Sequence, residues 1–418
     1  MKKILLLVLS SVTLGLFAQT PFSVSEKKGF NTGMFARNGS VVDLKSFKGN
    51  IYAAMGNDTG YVYRSSTGDV GSYQRVFNTF GVTRSQYFTV SNDGGGYMFM
   101  STASTFSTNL VMRTADGTNW DNYFLPPGSG AQNISTFKSA GGVADSVYIS
   151  YFGSSGGVVI VKNALNANDY NNTLGTWDTL TDMYLQFGTY AYPTASVVFH
   201  DSLYYAFSDN SLYHTGNGKD LHVNTDFASQ MGSTSGIGNS YCSAMEVYNG
   251  DLYLGTQNNT GTGFQLWKTS DGVTFTSIAD SLYNSLTTIS RMKSAGGKLW
   301  VLAKNTGGGF EIYSYDGTTF VLENSNEFGA ADIDVNYYSG LEFFNDHLYV
   351  GVTHFKMPFM QAGHDGESTF ASSSTTGGQI WRACLVGSFP TVNITNGDGD
   401  TICKGGNVLL NVGGSAVS

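Results

Sequence analysis

Short runs in which apolar and polar residues alternate fill most of the chain, and glycine- or asparagine-containing turns separate them. Alternation with a period of two predicts half-buried β-strands, and the turns predict hairpins. One phrase recurs at steps of about 50 residues, a period typical of repeat folds. It is a turn, then an apolar residue followed by an aromatic one. The copies are Ile51-Tyr52, Tyr97-Met98, Val147-Tyr148, Leu203-Tyr204, Leu252-Tyr253, Leu299-Trp300 and Leu348-Tyr349.

A second phrase follows each copy of the first: an aromatic or apolar residue, usually a basic one, and then a turn such as Asp271-Gly272. Asp-Gly and Asn-Gly between alternating runs are strong hairpin signals. The copies are Tyr63-Arg64, Met112-Arg113, Val161-Lys162, Tyr213-His214, Trp267-Lys268, Tyr313-Ser314 and Trp381-Arg382. Each repeat therefore predicts a four-stranded antiparallel unit.

One such unit cannot bury both of its faces, whereas seven stacked in a ring bury them against their neighbours. The sequence thus predicts an all-β, seven-bladed β-propeller over residues 19–385. The last repeat ends at Cys384 without a fourth strand. We expect Phe22-Ser23-Val24-Ser25 to supply that strand, because this closes the ring and leaves no exposed edge between the first and last blades.

The composition suits an exported β-protein. Charged residues make up only 13% of the chain, and the net charge is −9. This balance argues against a nucleic-acid or anionic-membrane partner, which would need a basic patch. Residues 1–18 have the charged start, apolar stretch and small final residue of a secretory signal. We therefore expect a secreted or cell-surface protein that does not insert into a membrane.

The repeat pattern ends at Cys384, and Gly387–Pro390 resembles a linker. The rest of residues 386–418 predicts the cut-short start of an immunoglobulin-like β-sandwich module. Asn396–Asp400 is interpreted as flexible linker, since it lacks the downstream acidic residue of a complete calcium loop. The three cysteines, Cys242, Cys384 and Cys403, are an odd number. Cys403 is the one expected to lack a partner in this chain.

The repeats and the phrase Thr401-Ile402-Cys403-Lys404-Gly405 resemble secreted surface proteins of the Bacteroidetes type. The resemblance implies a seven-bladed propeller followed by immunoglobulin-like repeats, exported by the type IX secretion route. The turns at Asp116-Gly117 and Asp271-Gly272 also resemble the Asp-box of sialidases, except that Asp and Gly are adjacent. Asp-boxes are structural turns, so this likeness implies a fold and not an activity.

Candidate chemistry lies mainly in the last two repeats. Asp332 and Asp334, on one face of a strand, are the candidate metal site, and Ca²⁺ is the cation that such oxygen ligands would suit. They could also serve a glycosidase as paired carboxylates. A long insertion, 354–378, interrupts the seventh repeat, and long loops in compact folds are often functional. Its candidate ligand-binding residues are His354, Met357, Phe359, His364 and Asp365.

No motif predicts a nucleophile elbow, a phosphate loop or a Cys-x-x-Cys centre. A sialidase would need an arginine cluster, but Arg64, Arg113 and Arg382 share one repeat position and are interpreted as scaffold. The favoured function is non-enzymatic recognition or adhesion, with a glycan or surface protein bound on one loop face and no cofactor. The protein is expected to be a monomer within a larger multidomain chain. The alternatives are a carbohydrate-active enzyme with carboxylates at the ring centre, and a structural spacer.

Overall fold

The computed structural model describes the following residues: 22–26, 40–56, 61–78, 84–90, 96–103, 111–124, 130–137, 146–152, 157–161, 177–182, 193–218, 220–224, 227, 239–258, 263–280, 287–304, 309–324, 333–334, 339–354 and 378–385. Within these ranges the chain is nearly all β-strand, and all strand pairs are antiparallel. The strands form successive four-stranded meanders, each of which we name after its inner strand.

The first four meanders use short strands joined in sequence order. The β2 meander holds β2 (Ser40–Phe47), β3 (Asn50–Gly56), β4 (Tyr61–Ser65) and β5 (Gln74–Asn78). The β6 meander holds β6 (Arg84–Val90), β7 (Met98–Ala103), β8 (Val111–Thr114) and β9 (Asp121–Phe124). The β10 meander holds β10 (Gly130–Phe137), β11 (Ser146–Phe152), β12 (Gly157–Val161) and β13 (Trp177–Asp182). The β14 meander holds β14 (Pro193–Phe199), β15 (Ser202–Phe207), β16 (Leu212–Thr215) and β17 (His222–Val223).

The remaining strands repeat this order. The β18 meander holds β18 (Asn239–Tyr248), β19 (Asp251–Asn258), β20 (Gln265–Thr269) and β21 (Thr276–Asp280). The β22 meander holds β22 (Thr288–Ala295), β23 (Lys298–Lys304), β24 (Phe310–Tyr315) and β25 (Phe320–Asn324). The β27 meander holds β27 (Leu341–Phe344), β28 (His347–His354), β29 (Gln379–Cys384) and β1 (Ser23–Glu26), and the short strand β26 (Ile333–Asp334) pairs with the far end of β28.

The predicted closure is confirmed. Strand β1, from the N-terminal part of the chain, pairs with β29 through Ser23 opposite Arg382 and Val24 opposite Trp381. The β27 and β2 meanders also share an apolar cluster that includes Val41, Leu44 and Tyr349. Because the last meander packs on the first, the series closes on itself.

The apolar core lies between successive meanders. In one such cluster, Tyr253 and Leu266 of the β18 meander pack against Leu299 and Tyr313 of the β22 meander. Similar clusters join the β2 to the β6 meander, β10 to β14, β14 to β18, and β22 to β27. The meanders joined by these clusters therefore bury apolar faces against one another, which is the physical reason that one repeat alone could not fold.

The two phrases of the repeat contact each other across this interface. Tyr148, in the second strand of the β10 meander, donates a hydrogen bond from its hydroxyl to the carbonyl oxygen of Gly218 in the next meander, at 3.3 Å. At Gly117, where φ is +77°, a Cβ atom would lie 2.6 Å from Cζ of Tyr52 in the preceding meander. Gly272 faces Tyr204 in the same way. These turns require glycine both for the positive φ and for the close approach of the aromatic ring.

Side-chain oxygens fix the same turns locally. Thr114 Oγ1 accepts a hydrogen bond from Gly117 N at 2.8 Å, and Thr269 Oγ1 accepts one from Gly272 N at 2.9 Å. The Asp271 carboxylate accepts hydrogen bonds from the backbone N–H groups of Val273 and Thr274. Those N–H groups hold the pKa of Asp271 well below its usual range, with Thr274 contributing most. The aspartate of the turn is thus a structural acceptor.

The register corrects two positions of the predicted repeat. Phe99 pairs with Arg113 as Tyr253 pairs with Lys268, so Phe99, and not Met98, is the aromatic position of the second repeat. In the third repeat, Tyr148 lies opposite Ile160, so the predicted pair Val161-Lys162 was also out of register. In the second repeat, the connection before the aromatic position is longer than the two-residue turn of most repeats. In the third repeat, the apolar Ile160 occupies the usually basic position, so the nearby Lys162 was taken for it.

Among the described cysteines, Cys242 is buried and free, whereas Cys384 is disulfide-bonded. Cys403, which was expected to lack a partner in this chain, lies outside the described residues. Residues 1–18 and 386–418, with the predicted signal and sandwich module, also lie outside the described residues.

Candidate functional site

A cavity of about 170 Å³ lies where the inner strands of the meanders converge. Its wall includes residues of β2, β6, β10, β14, β18, β22 and β27. The charged residues in the wall are three carboxylates and three cations: Asp43, Lys45, Glu246, Arg291, Lys293 and Glu342. The wall therefore holds equal numbers of both signs.

Four of these side chains occupy one equivalent position of the inner strand. Lys45, Glu246, Lys293 and Glu342 lie directly opposite the repeat aromatics Tyr52, Tyr253, Trp300 and Tyr349. They come from four successive meanders, β18, β22, β27 and β2. Their charges therefore alternate in sign from one meander to the next along this part of the ring. The same position in the other three meanders holds Thr89, Ser135 and Val197. The cavity thus has a charged half and an uncharged half.

Glu342 is the most fully paired carboxylate. Its side chain lies 2.8 Å from Lys293 Nζ and 4.0 Å from Lys45 Nζ. It also accepts hydrogen bonds from Ser46 Oγ and from its neighbour's backbone, Phe343 N. Burial alone would lower the pKa of Lys293. The carboxylates of Glu342 and Glu246 outweigh this effect and raise that pKa. Lys293 is therefore held as a cation.

Asp43 joins three inner strands. It accepts hydrogen bonds from its neighbour's N–H, Leu44 N, and from Phe88 N of β6, each at 2.9 Å, and lies 4.0 Å from Arg291 of β22. Burial raises the pKa of Asp43, an effect that Arg291 and the two N–H groups oppose. Gly340 in the intervening meander has no room for a side chain, because a Cβ there would lie 2.6 Å from Leu44 Cγ.

Glu246 is the least paired of the three carboxylates. One of its oxygens, Oε1, accepts a hydrogen bond from Ser294 N at 2.9 Å, which ties β18 to β22. Among the described residues no donor reaches Oε2 and no cation lies within ion-pair distance. Burial raises the pKa of Glu246, while Lys293 and Lys45 oppose that rise from farther away. Glu246 is packed on most sides and half-buried overall, because the rest of its surface faces the cavity.

Hydroxyl groups on the remaining wall bridge neighbouring inner strands. Thr194 Oγ1 donates to the carbonyl oxygen of Cys242 at 2.6 Å, and Ser243 Oγ donates to that of Ile289 at 2.7 Å. Ser135 and Ser196 share a hydrogen bond between β10 and β14. Inner strands in a ring diverge too much for continuous pairing, so these side chains satisfy backbone groups that the ladder leaves open.

The two ends of the ring differ. At the end that we call the turn end, inner strands lead to second strands through two-residue turns in which both residues have positive φ, as at Lys48-Gly49 and Asn249-Gly250. The strands that flank 183–192, 224–238, 325–332 and 355–378 end on the opposite side, which we call the long-connection end. Two longer connections, 138–145 and 162–176, join strand ends at the turn end. Loops of this length are common carriers of binding residues.

The candidate residues predicted from the sequence lie at the long-connection end or outside the described residues. His354 closes β28 there, and its backbone pairs with Ile333, while Asp334 pairs with Thr353. Met357, Phe359, His364, Asp365 and Asp332 lie outside the described residues. In the described part of the chain, no group of three or more His, Cys, Asp or Glu side chains is placed to hold a metal ion.

The charged cavity was not predicted from the sequence, although a signal was present. Lys45, Glu246, Lys293 and Glu342 each stand seven residues before the repeat aromatic. A charge recurring at one strand position needs a polar environment, and in a closed ring that environment is the axis. The signal was weak because three repeats carry uncharged residues there.

The repeat arginines belong to the scaffold, as predicted. Arg382 donates from one guanidinium nitrogen to Gly68 O at 3.0 Å and to Asp69 Oδ1 at 2.9 Å, which links the last meander to the first. Arg113 is buried and lies 5.0 Å from the centre of the Tyr97 ring. Neither lines the cavity, so the described residues do not form an arginine cluster of the sialidase kind.

No protein-family model matches the chain, and no curated protein matches it. Solved structures do: YCF48 from Cyanidioschyzon merolae aligns with a TM-score of 0.51 at 12% identity, over 87% of this chain and 98% of that one. YCF48 bound to D1 peptide gives the same score and identity, over 87% and 97%. A chain from an analysis of two prolyl endopeptidases gives 0.50 at 12%, over 84% of this chain and 49% of that one. These similarities establish a β-propeller fold.

Among the described residues, no helix has the length and apolar character needed to span a membrane.

Proposed function

We propose that this protein is a non-enzymatic recognition or adhesion module, a seven-bladed propeller that binds a protein ligand at its long-connection end. The observation that carries the proposal is the asymmetry of the ring. Two-residue turns join most inner strands to second strands at one end, which also carries the connections 138–145 and 162–176, whereas the strands that flank four long connections end at the other. Variable surface on a rigid scaffold is the usual arrangement of a binding module.

A recognition module of this kind would act outside the cell. We propose that the protein is exported, because residues 1–18 have the pattern of a secretory signal. The propeller of YCF48 is a structure of the same fold that holds a peptide. This supports a protein ligand over a glycan, which stays the other candidate. Ca²⁺ at Asp332 and Asp334 and a following immunoglobulin-like module are also part of the proposal.

Site-specific photo-crosslinking on the cell surface tests the binding face. Asp209, exposed at the long-connection end, and Ser270, exposed at the turn end, lie in successive meanders and provide a matched pair. A photoreactive residue at 209 should capture one defined surface protein that the same residue at 270 does not. Equal capture from both positions, or capture only from 270, would contradict the assignment.

A carbohydrate-active enzyme is the second candidate, and the pKa values of Asp43 and Glu246, both raised by burial, favour it, since a general acid needs a raised pKa. Against it, Asp43 and Glu342 are held by backbone donors and cations, and about 170 Å³ is less than the volume of ordinary ligand pockets. Hydrolysis of any polysaccharide in a panel that Glu246→Gln abolishes, with folding intact, would establish the enzyme instead.

A further inference from the structure

The axial cavity has the properties of a ligand site that is separate from the proposed protein-binding end. Its volume of about 170 Å³ is roughly that of six water molecules in the liquid. The cavity is partly open to solvent. Its enclosed part therefore matches a molecule with few non-hydrogen atoms.

The charge of the cavity wall restricts the class of ligand further. The wall carries Asp43, Glu246 and Glu342 against Lys45, Arg291 and Lys293, so it has no net formal charge. A simple cation or anion would leave one unbalanced charge inside the ring, and an unbalanced buried charge is costly. A ligand that carries both signs on one small frame preserves the balance.

The unpaired atoms of the wall indicate where the positive and the negative group of such a ligand would bind. Oε2 of Glu246 has no donor among the described residues, and its carboxyl group faces the cavity. Lys45 makes only a 4.0 Å approach to Glu342, which is beyond hydrogen-bonding distance. Glu246 can thus accept from an ammonium group, and Lys45 can donate to a carboxylate. Lys45 and Glu246 both line the cavity, so the two act within one site.

Apolar side chains form part of the remaining wall. Phe88, Met245, Met292 and Leu341 line the cavity together with Ala195 and Ala244, and they offer room for a short aliphatic group. Asn133 and Ser196 also line the cavity, but they are neutral and leave the charge of the wall unchanged. The hydroxyls of Thr194 and Ser243 are already donated to backbone carbonyls. The ligand's charged groups therefore have Glu246 and Lys45 as their principal partners.

From these observations we infer that the axial cavity binds a small zwitterion of the α-amino-acid class, with its ammonium group on Glu246 and its carboxylate on Lys45. The inference does not depend on the proposed surface recognition. It concerns a free small molecule bound at the axis, and the blade loops take no part in it.

Isothermal titration calorimetry on the full chain tests the inference with alanine, valine, alaninamide, which lacks the carboxylate, and N-acetylalanine, which lacks the ammonium group. Alanine or valine should bind, and both blocked analogues should bind at least about tenfold more weakly, because each loses one charge-assisted hydrogen bond. Glu246→Gln and Lys45→Met should each weaken the zwitterion by about tenfold or more. Asp251→Asn, which removes a half-buried carboxylate that is paired with Lys268 and does not line the cavity, is the control and should leave binding unchanged.

Two outcomes overturn the inference. One is the absence of binding by any of a panel of small aliphatic amino acids at about 10 mM, where a weak ligand would still raise stability measurably. The other is binding that neither the blocked analogues nor the cavity variants weaken. If Glu246→Gln fails to fold, Lys45→Met and the analogues decide the result. Crosslinking at position 209 is read separately, so failure of the surface proposal would not affect this test.

Discussion

Substitution of Gly117 by alanine tests how successive meanders are locked together. The residue has φ of +77°, and a Cβ atom would lie 2.6 Å from Tyr52 Cζ, well inside contact distance. A non-glycine residue in the left-handed region costs about 1–2 kcal/mol. Forcing an extra methyl group against a packed ring costs about 1–3 kcal/mol more. We therefore expect Gly117→Ala to lower the free energy of unfolding by about 2–5 kcal/mol.

Gly49→Ala provides the matched control. Its φ is +71°, almost the same, but a Cβ there would have no neighbour within 4 Å. This variant should lose only the backbone contribution of about 1–2 kcal/mol. The difference between the two variants isolates the contact between the turn and the aromatic ring of the preceding meander.

Urea unfolding followed by tryptophan fluorescence measures both variants, provided that the transition is two-state. Tyr52→Phe removes the hydroxyl that meets the new methyl group first, so Gly117→Ala should cost less in that background. We expect a coupling of about 0.5–2 kcal/mol in the double-mutant cycle. Equal losses for Gly117→Ala and Gly49→Ala, with no coupling to Tyr52, would refute the reasoning.

Three further predictions concern other parts of the ring. Burial raises the pKa of Cys242 to about 12, so a thiol reagent should not label it in the native protein near neutral pH and should label it once urea has unfolded the chain. Arg382→Met should lower the free energy of unfolding by about 1–2 kcal/mol, because the closure loses its donor to Gly68 O. Asp69→Asn should cost less than about 0.5 kcal/mol, since that carboxylate is 61% exposed. The N–H groups of Thr319 and Thr318 lower the pKa of Asp316 to about 2. The stability that its carboxylate contributes is therefore present above the unfolded pKa, near 4, and lost as the pH falls through about 2. The difference in urea midpoint between wild type and Asp316→Asn should accordingly shrink over that range, and a difference that stays constant would contradict the assignment.

Much of the fold could be predicted from the sequence because its signals are local. The alternation of apolar and polar residues specifies strands, Asp-Gly and Asn-Gly specify hairpins, and their recurrence specifies a repeat. Even the pairing of the N-terminal strand with Gln379–Cys384 followed from the sequence. A repeat that lacks one strand leaves an open edge, and only the other end of the chain could fill it.

The sequence was less reliable where repeats depart from the consensus. In the second repeat the aromatic position was placed one residue early, because a longer connection precedes it. In the third repeat Lys162 was taken for a position that the apolar Ile160 occupies. A shift of one residue reverses which face of the strand a side chain occupies. Only the observed pairing of Phe99 with Arg113 resolves such a shift.

The sequence by itself determined the strands, the turns and the repeat, since each depends on residues near one another in the chain. The tertiary structure alone decided which distant residues meet. It placed Lys45, Glu246, Lys293 and Glu342 around one cavity, although about 300 residues separate the first from the last. It also set the Tyr52 ring against the Gly117 turn of the next meander. Closure of the ring creates the axis, and an environment that exists only after closure leaves no local pattern in the chain.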